Sequence, residues 1–278
     1  MNKQILFNSK DHSYNGKKIT YTSVSTLIGR YKKPYNREYW STYKAYEKLL
    51  GKDTFRDIRK KLGYKMEDSS LFKDLESLVT KSDLDKTLSS ILSEWEYEKD
   101  KSIKKGNDYH SFKEDQAKEL GFCENPYTGK EFPTIHSTKI EYKNNIEYRS
   151  PTVVKLYDLE DGFHPELILW DDESRLAGQS DLVFIETING DRFFDIDDFK
   201  TNKKIVKNSI FGKMKDPLGH LDCCNYNHYR LQISMYAKLL EKAGFIPRHL
   251  GFRHLNTAYR FDYMKKEVES IMPNYYDF

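Results

Sequence analysis

Cysteine is scarce. Cys123, Cys223 and Cys224 are the only three in 278 residues. An odd count with one adjacent pair is no disulfide framework and fits a reducing compartment. It also excludes four-cysteine ligation of zinc or of an iron–sulfur cluster within one chain. Long hydrophobic runs are missing too, and the opening stretch MNKQILFNSKDHSY is too polar for a signal peptide, so no membrane partner and a cytoplasmic protein are expected. There is no internal repeat and no Pro/Gly/Ser-rich linker, which predicts one domain over 1–278. Nor does one sign of charge dominate. Lysine and arginine number 46 against 43 acids, a net +3, so nucleic-acid contacts must come from local basic patches rather than a uniformly positive field.

What is there is charge and aromatic rings. Charged residues make up 32% and aromatics 14%, with 21 tyrosines, which argues against disorder. Tyrosine offers an apolar ring with a polar tip, suited to stacked bases, although a Lys, Asn and Tyr bias equally reflects an AT-rich genome. Residues 1–25 read as a short β element, with KKITYTSVS alternating. From about 26 to 121 the period turns helical. Leu84, Leu88, Ile91, Leu92, Trp95 and Ile103 fall on helical spacing, with Ser82 or Asp83 as the expected N-cap. Residues 134–200 read as strands, with hairpin turns at Asn144-Asn145 and Asn189-Gly190. A helix follows over about 226–243, then a strand (RHLGFRHL) and a last helix (DYMKKEVESIM). The predicted fold is α/β: a central mixed sheet flanked by helices, with a helical N-terminal half over about 26–121 and a core over about 134–270.

The stretch ELILWDDESRLAGQSDLVFIETINGDRFFDIDDFKTNK carries the chemistry. Asp198 and Lys200 are two apart and project from one strand face, shared with Ile196, while Phe199 takes the other. The Asn-Gly turn makes the strand bearing Asp181 an antiparallel neighbour, so Asp181 and Asp198 can meet at one end of the hairpin. Two close carboxylates repel unless a cation or proton intervenes. A hard divalent ion suits them, since Mg²⁺ takes one or two carboxylates plus water and phosphate oxygens. A lysine beside such a site can stabilise an attacking hydroxide or a phosphorane-like transition state. That composition suits phosphodiester hydrolysis. Covalent catalysis fits less well, because no activated serine or cysteine accompanies it. An Asp/Lys pair at this spacing is also common at solvated strand ends.

In chain order the sequence supplies Gly106 with His110, Glu166, Gly178 with Asp181, Asp198 with Lys200, and Gln232 with Tyr236. With AGQSD, DFKT and QISMY, this set resembles the PD-(D/E)XK nuclease superfamily. The branch is that of RecB-like and phage-type exonucleases, which includes the mitochondrial genome maintenance exonuclease. The resemblance covers most of 12–270, least over about 45–95. It implies a restriction-endonuclease-like core and a metal-dependent exonuclease acting on DNA with free ends. One or two Mg²⁺ or Mn²⁺ ions would be held by Asp181, Asp198, His110 and the main-chain carbonyl of Phe199. Glu166 would be a ligand or water-orienting acid, Lys200 would position or activate the water, and Glu114 could join around His110. Gln232 and Tyr236, one helical turn apart, would lie beside the site and the DNA, with Tyr229 and Tyr226 extending their face. Ser23, Ser25 and Thr26 resemble a DNA-contacting segment. Lys32, Lys33, Lys203, Lys204 and Lys207 are candidate phosphate contacts. The resemblance carries no iron–sulfur cluster here, and Cys223-Cys224 is expected to be structural. By analogy, a phage or mobile-element role in replication, recombination or repair is implied, in the host cytoplasm if phage-encoded, with a single-strand-binding protein or recombinase as partner. A structure-specific or restriction-like endonuclease on the same core, or a non-catalytic DNA-binding protein, are the rival readings.

Overall fold

The computed structural model describes residues 5–16, 19–209 and 212–273, apart from the side chains of 110, 111, 113–118 and 120. The chain forms two compact units. One is a helical unit, Pro34–Lys105. The other is a sheet unit made of Met1–Lys33 and Gly106–Phe278.

Three short strands, β1 (Leu6–Asn8), β2 (Ser13–Asn15) and β3 (Thr20–Ser23), lead into α1 (Val24–Arg30). The switch to helix comes at Val24 because Ser23 caps it, its Oγ accepting the Thr26 N–H at 3.1 Å. The helical unit holds α2 (Arg37–Leu50), α3 (Lys52–Leu62), α4 (Ser70–Leu75) and most of α5 (Lys81–Leu120), whose last turns from Gly106 belong to the sheet unit. Its own core is Tyr46, Phe55, Leu71 and Leu75. α5 is capped one residue before its start, by Thr80, not by Ser82 or Asp83. The Thr80 hydroxyl accepts the Asp83 N–H at 3.2 Å and donates to the Asp83 carboxylate at 2.7 Å. All three are good caps, and Thr80 holds the position because it and Asp83, three residues on, hydrogen-bond to each other.

Two hairpins follow, β4 (Phe122–Glu124) with β5 (Glu131–Pro133), and β6 (Thr138–Lys143) with β7 (Ile146–Pro151). Asn144 and Asn145 close the second with φ of 52° and 60°, the left-handed pair that a two-residue hairpin turn requires. Then come β8 (Gly162–Asp171), β9 (Leu176–Ile188), β10 (Asp191–Asp197), β11 (Phe199–Lys200), α6 (Asn225–Lys242), β12 (Ile246–His254), β13 (Thr257–Phe261) and α7 (Lys265–Ile271). The large sheet runs β11-β12-β10-β9-β3-β2-β1-β7-β6, with β8 also on β9 and β13 on β12. It is mixed. β8, β9 and β10 form an antiparallel meander, whereas β12, reached through α6, lies parallel to β10.

Helices flank this sheet, as the sequence predicts for an α/β protein. Val24, Leu27 and Ile28 of α1, Leu231 and Met235 of α6, and Val268 and Ile271 of α7 pack with Val183, Ile185 and Ile196 of the sheet. The alternate residues Leu182, Phe184 and Phe199 join Phe132 and Phe163 on the opposite face. Away from their shared turn, β9 and β10 are thus buried on both sides, which places Asp181, Asp195 and Asp197 in a dry setting. Among the described residues, no helix is long and apolar enough to cross a membrane.

Candidate active site

The β9–β10 hairpin turns at Asn189-Gly190, with φ of 53° and 91°. That turn fixes the register, and Asp197 lies opposite Leu182. One step further, Asp198 meets Asp181. The two carboxylates interact, and besides burial both the charge of Asp181 and hydrogen bonding to it raise the pKa of the Asp198 carboxyl. Both are buried, Asp181 at 8% exposed and Asp198 at 2%. The backbone between Asp198 and Lys200 is tied in as well, since the Phe199 N–H donates to Asp181 Oδ2 at 2.7 Å. The faces fall as alternation requires. Ile196 packs toward α6, Lys200 reaches the same helix, and Phe199 turns to the other core.

Lys200 is the cation paired with Asp198 among the described residues. Its Nζ donates to Asp198 Oδ2 at 2.9 Å and to Gln232 Oε1 at 3.5 Å, and lies 4.8 Å from the centre of the Tyr229 ring. Gln232 in turn donates to the Tyr236 hydroxyl at 2.9 Å. Burial, then the charge of Asp181, pushes the Asp198 carboxyl well above the usual range, with Lys200 opposing. Burial alone would lower the Lys200 ammonium. The charges of Asp198 and Asp181 outweigh it and hold the pKa above the ordinary value. The result is a charged lysine clamped beside a carboxylate pair that resists double ionisation.

A cavity of about 540 Å³ opens here, with Asp181, Gln232, Tyr236, Gly178, Glu166 and Asn107 on its wall. Ser23 and Ser25 line it too, while Thr26 is held by the Ser23 hydroxyl at 2.7 Å. Gly178 is spaced for Tyr236, because a Cβ there would lie 2.5 Å from the ring. Glu166 faces the same cavity through a kink. Its φ is 50°, in the left-handed region, between the paired positions Pro165 and Leu167. Its carboxylate accepts from Gln179 Nε2 at 2.7 Å and from Arg149 Nη1 at 3.2 Å. Arg149 and Gln179 are site residues that sequence reasoning missed. Gln179 sat inside the AGQSD motif, whereas nothing local marks Arg149.

Gly106 and Tyr109 bring α5 to this end of the sheet. A Cβ on Gly106 would lie 3.4 Å from Thr201 Oγ1, and the Tyr109 ring meets Phe199 edge-on at 5.5 Å. The side chains of His110 and Glu114, expected around the metal, lie outside the described residues. Among the basic candidates, Lys203 and Lys204 are exposed after β11, and Lys207 Nζ lies 5.2 Å from the centre of the Tyr226 ring. Tyr229 donates to the Asn202 side chain. Lys32 is half-buried, and burial lowers its ammonium pKa. The Lys33 N–H donates to Cys223 Sγ at 3.3 Å, and Cys224 donates to the Lys207 carbonyl at 3.1 Å. The cysteine pair thus pins two basic segments to the start of α6.

Among the described residues, no three of His, Cys, Asp and Glu gather into a group that could hold a metal ion. The donors brought together at this point among the described residues include the two carboxylates of Asp181 and Asp198. This pair is all oxygen and anionic, and it is buried where mutual repulsion calls for a cation. Such a pair fits a hard ion whose remaining positions are filled by water and phosphate. Set against known proteins, the chain matches no family model, no curated protein and no solved structure.

Proposed function

We propose that this chain is a divalent-metal-dependent deoxyribonuclease of the PD-(D/E)XK type, acting as an exonuclease on DNA ends. The observation that carries the reading is the convergence of Asp181, Asp198 and Lys200, with Gln232 holding the lysine from α6. A mixed sheet with flanking helices supports a restriction-endonuclease-like core. Asp181, Asp198 and the Phe199 carbonyl would hold the ion, with His110 as a further ligand from α5. Mg²⁺ or Mn²⁺ bound there would polarise a phosphodiester and lower the pKa of a water. Lys200, kept charged by its two acidic neighbours, would hold a water or a phosphate oxygen in place. Gln232 and Tyr236 fix where that ammonium points. Glu166, gripped by Arg149 and Gln179, is set to orient solvent in the cavity. Ser23, Ser25, Lys203 and Lys204 would meet phosphates, with Tyr229 on the DNA-facing side; Tyr236, expected there too, is buried and acts through Gln232 instead. The preference for ends rests on the Gly106-His110 and Gln232-Tyr236 elements, which resemble those of the exonuclease branch, and a phage or mobile-element role in replication, recombination or repair follows by analogy.

The test compares end-labelled linear DNA, single- and double-stranded, with closed circles, in Mg²⁺, Mn²⁺ or EDTA. Degradation of linear DNA alone, abolished by EDTA and reduced at least about 100-fold in Lys200→Ala, is the expected result. Cutting of circles would replace it with an endonuclease. Binding without metal-dependent cleavage of any substrate would leave a DNA-binding protein.

A further inference from the structure

Asp198 sits in the gap between β10 and β11, where the ladder to β12 is interrupted. A residue in such a gap lacks the repeated pairing that fixes its neighbours, yet its carboxylate must be placed to a fraction of an ångström to serve an ion. Three contacts hold its backbone. The Asp198 N–H donates to Asp197 Oδ1 at 3.2 Å. The Asp198 carbonyl accepts the Arg253 N–H at 2.7 Å. The next N–H, that of Phe199, goes to Asp181. The first two are locked together from behind, because Arg253 Nε donates to Asp197 Oδ2 at 2.5 Å. Asp197 and Asp198 alternate along the strand, so this pair lies on the sheet face away from Lys200. Asp197 is 3% exposed.

A buried aspartate is costly unless its charge and its hydrogen bonds are satisfied. Here Arg253 and the Asp198 N–H offset part of that cost, and the carboxylate spends one oxygen on the peptide of the neighbouring acid. We infer that Asp197 and Arg253 are positioning residues, a clamp on the back of the sheet that sets the carboxylate of Asp198 for a divalent ion. Neither touches the reacting atoms. The clamp rests on the metal-site reading given above. Residues that orient a ligand in this way change metal affinity about 10- to 100-fold when removed.

The test is a Mn²⁺ titration of the full chain, followed by the electron paramagnetic resonance signal of free Mn²⁺, without DNA. The variants are Asp197→Ala, Asp197→Asn and Arg253→Ala, with Asp198→Ala as the reference for loss of a ligand, and circular dichroism melts of the metal-free proteins alongside. Asp197→Ala is expected to weaken Mn²⁺ binding at least about 10-fold. Asp197→Asn keeps an oxygen for the Asp198 N–H and loses the ionic partner, so it should fall between. Should Asp197→Ala not fold, Arg253→Ala decides, since that side chain is 37% exposed and its main-chain bond to Asp198 survives the change. A lower melting temperature with Mn²⁺ affinity within two-fold of wild type overturns the clamp and leaves the pair a stability element. A wild-type protein that takes up no Mn²⁺ overturns the metal site and the clamp together.

Discussion

Gly178 has no side chain because Tyr236 occupies the space one would need. A Cβ would stand 2.5 Å from Cε1 of a ring that is only 3% exposed, so the ring cannot swing into solvent. Tyr236 accepts from Gln232, and Gln232 accepts from Lys200, so a push on the ring travels two bonds to the lysine. Gly178→Ala should cost about 1–3 kcal/mol in urea melts, as overpacking does. Gly29→Ala, where a Cβ meets nothing within 4 Å inside α1, should be neutral or stabilising. An equal loss at both positions would remove the steric account. His164 makes a second residue-scale prediction. It is fully buried, 2.7 Å from Ser137 Oγ through Nδ1 and 2.8 Å from the Glu160 carbonyl through Nε2, so Nε2 carries the proton and Nδ1 accepts. Burial pushes its pKa down to about 4 from 6.5. Between those values the unfolded chain binds the proton and the folded one does not. The stability this residue contributes is therefore complete above pH 6.5 and lost as pH falls toward 4. The loss between pH 7 and pH 5 should be about 2 kcal/mol and should shrink in His164→Gln. A pH dependence unchanged by the substitution would assign it to other groups.

At the scale of elements, Ser23 does two jobs that can be separated. It caps α1 and lines the cavity. Ser23→Ala should cost about 1 kcal/mol of stability through loss of the cap. Ser23→Asp keeps a capping oxygen but adds a negative charge where phosphates are proposed to lie. It should retain stability and weaken DNA binding, measured by fluorescence anisotropy in EDTA. Equal DNA affinity in Ser23→Asp and wild type would free this segment from any DNA contact. The elements also show what the sequence could tell. The turns at Asn144-Asn145 and Asn189-Gly190 were legible because each needs left-handed backbone, which asparagine and glycine accept. From the second turn the meeting of Asp181 with Asp198 and the shared face of Asp198 and Lys200 follow by counting in twos. What was not legible is what no local pattern encodes. β12 lies parallel beside β10 after a crossover, β3 lies parallel beside β9, and Arg149 arrives at Glu166 from a hairpin far from the motifs. Alternation gave the faces of the strands, but the choice of neighbour is made by burial across the whole sheet.

For the whole molecule, the distribution of charge matters more than its sum. A net +3 hides two buried acids at the centre of the sheet unit that face each other with one lysine between them and α6. Burial and mutual repulsion both disfavour the charged forms of that pair, and Lys200 offsets only part of the cost. Any divalent ion that binds the folded chain and not the unfolded one must raise stability by mass action, about 2.7 kcal/mol at a concentration 100 times its Kd. Calorimetric scans in EDTA and then in Mn²⁺ should therefore show an upward shift of the transition that includes the sheet unit. The shift should vanish in Asp181→Asn, which removes a ligand charge while keeping an oxygen for the Phe199 N–H. Ionic strength matched with KCl controls for screening of surface charge, which reaches exposed pairs and not buried ones. A Mn²⁺ shift that survives in Asp181→Asn would move the ion to another place on the protein. No shift in wild type would mean that the carboxylate pair is served by Lys200 and a shared proton, and that its chemistry is not that of a metal-dependent nuclease.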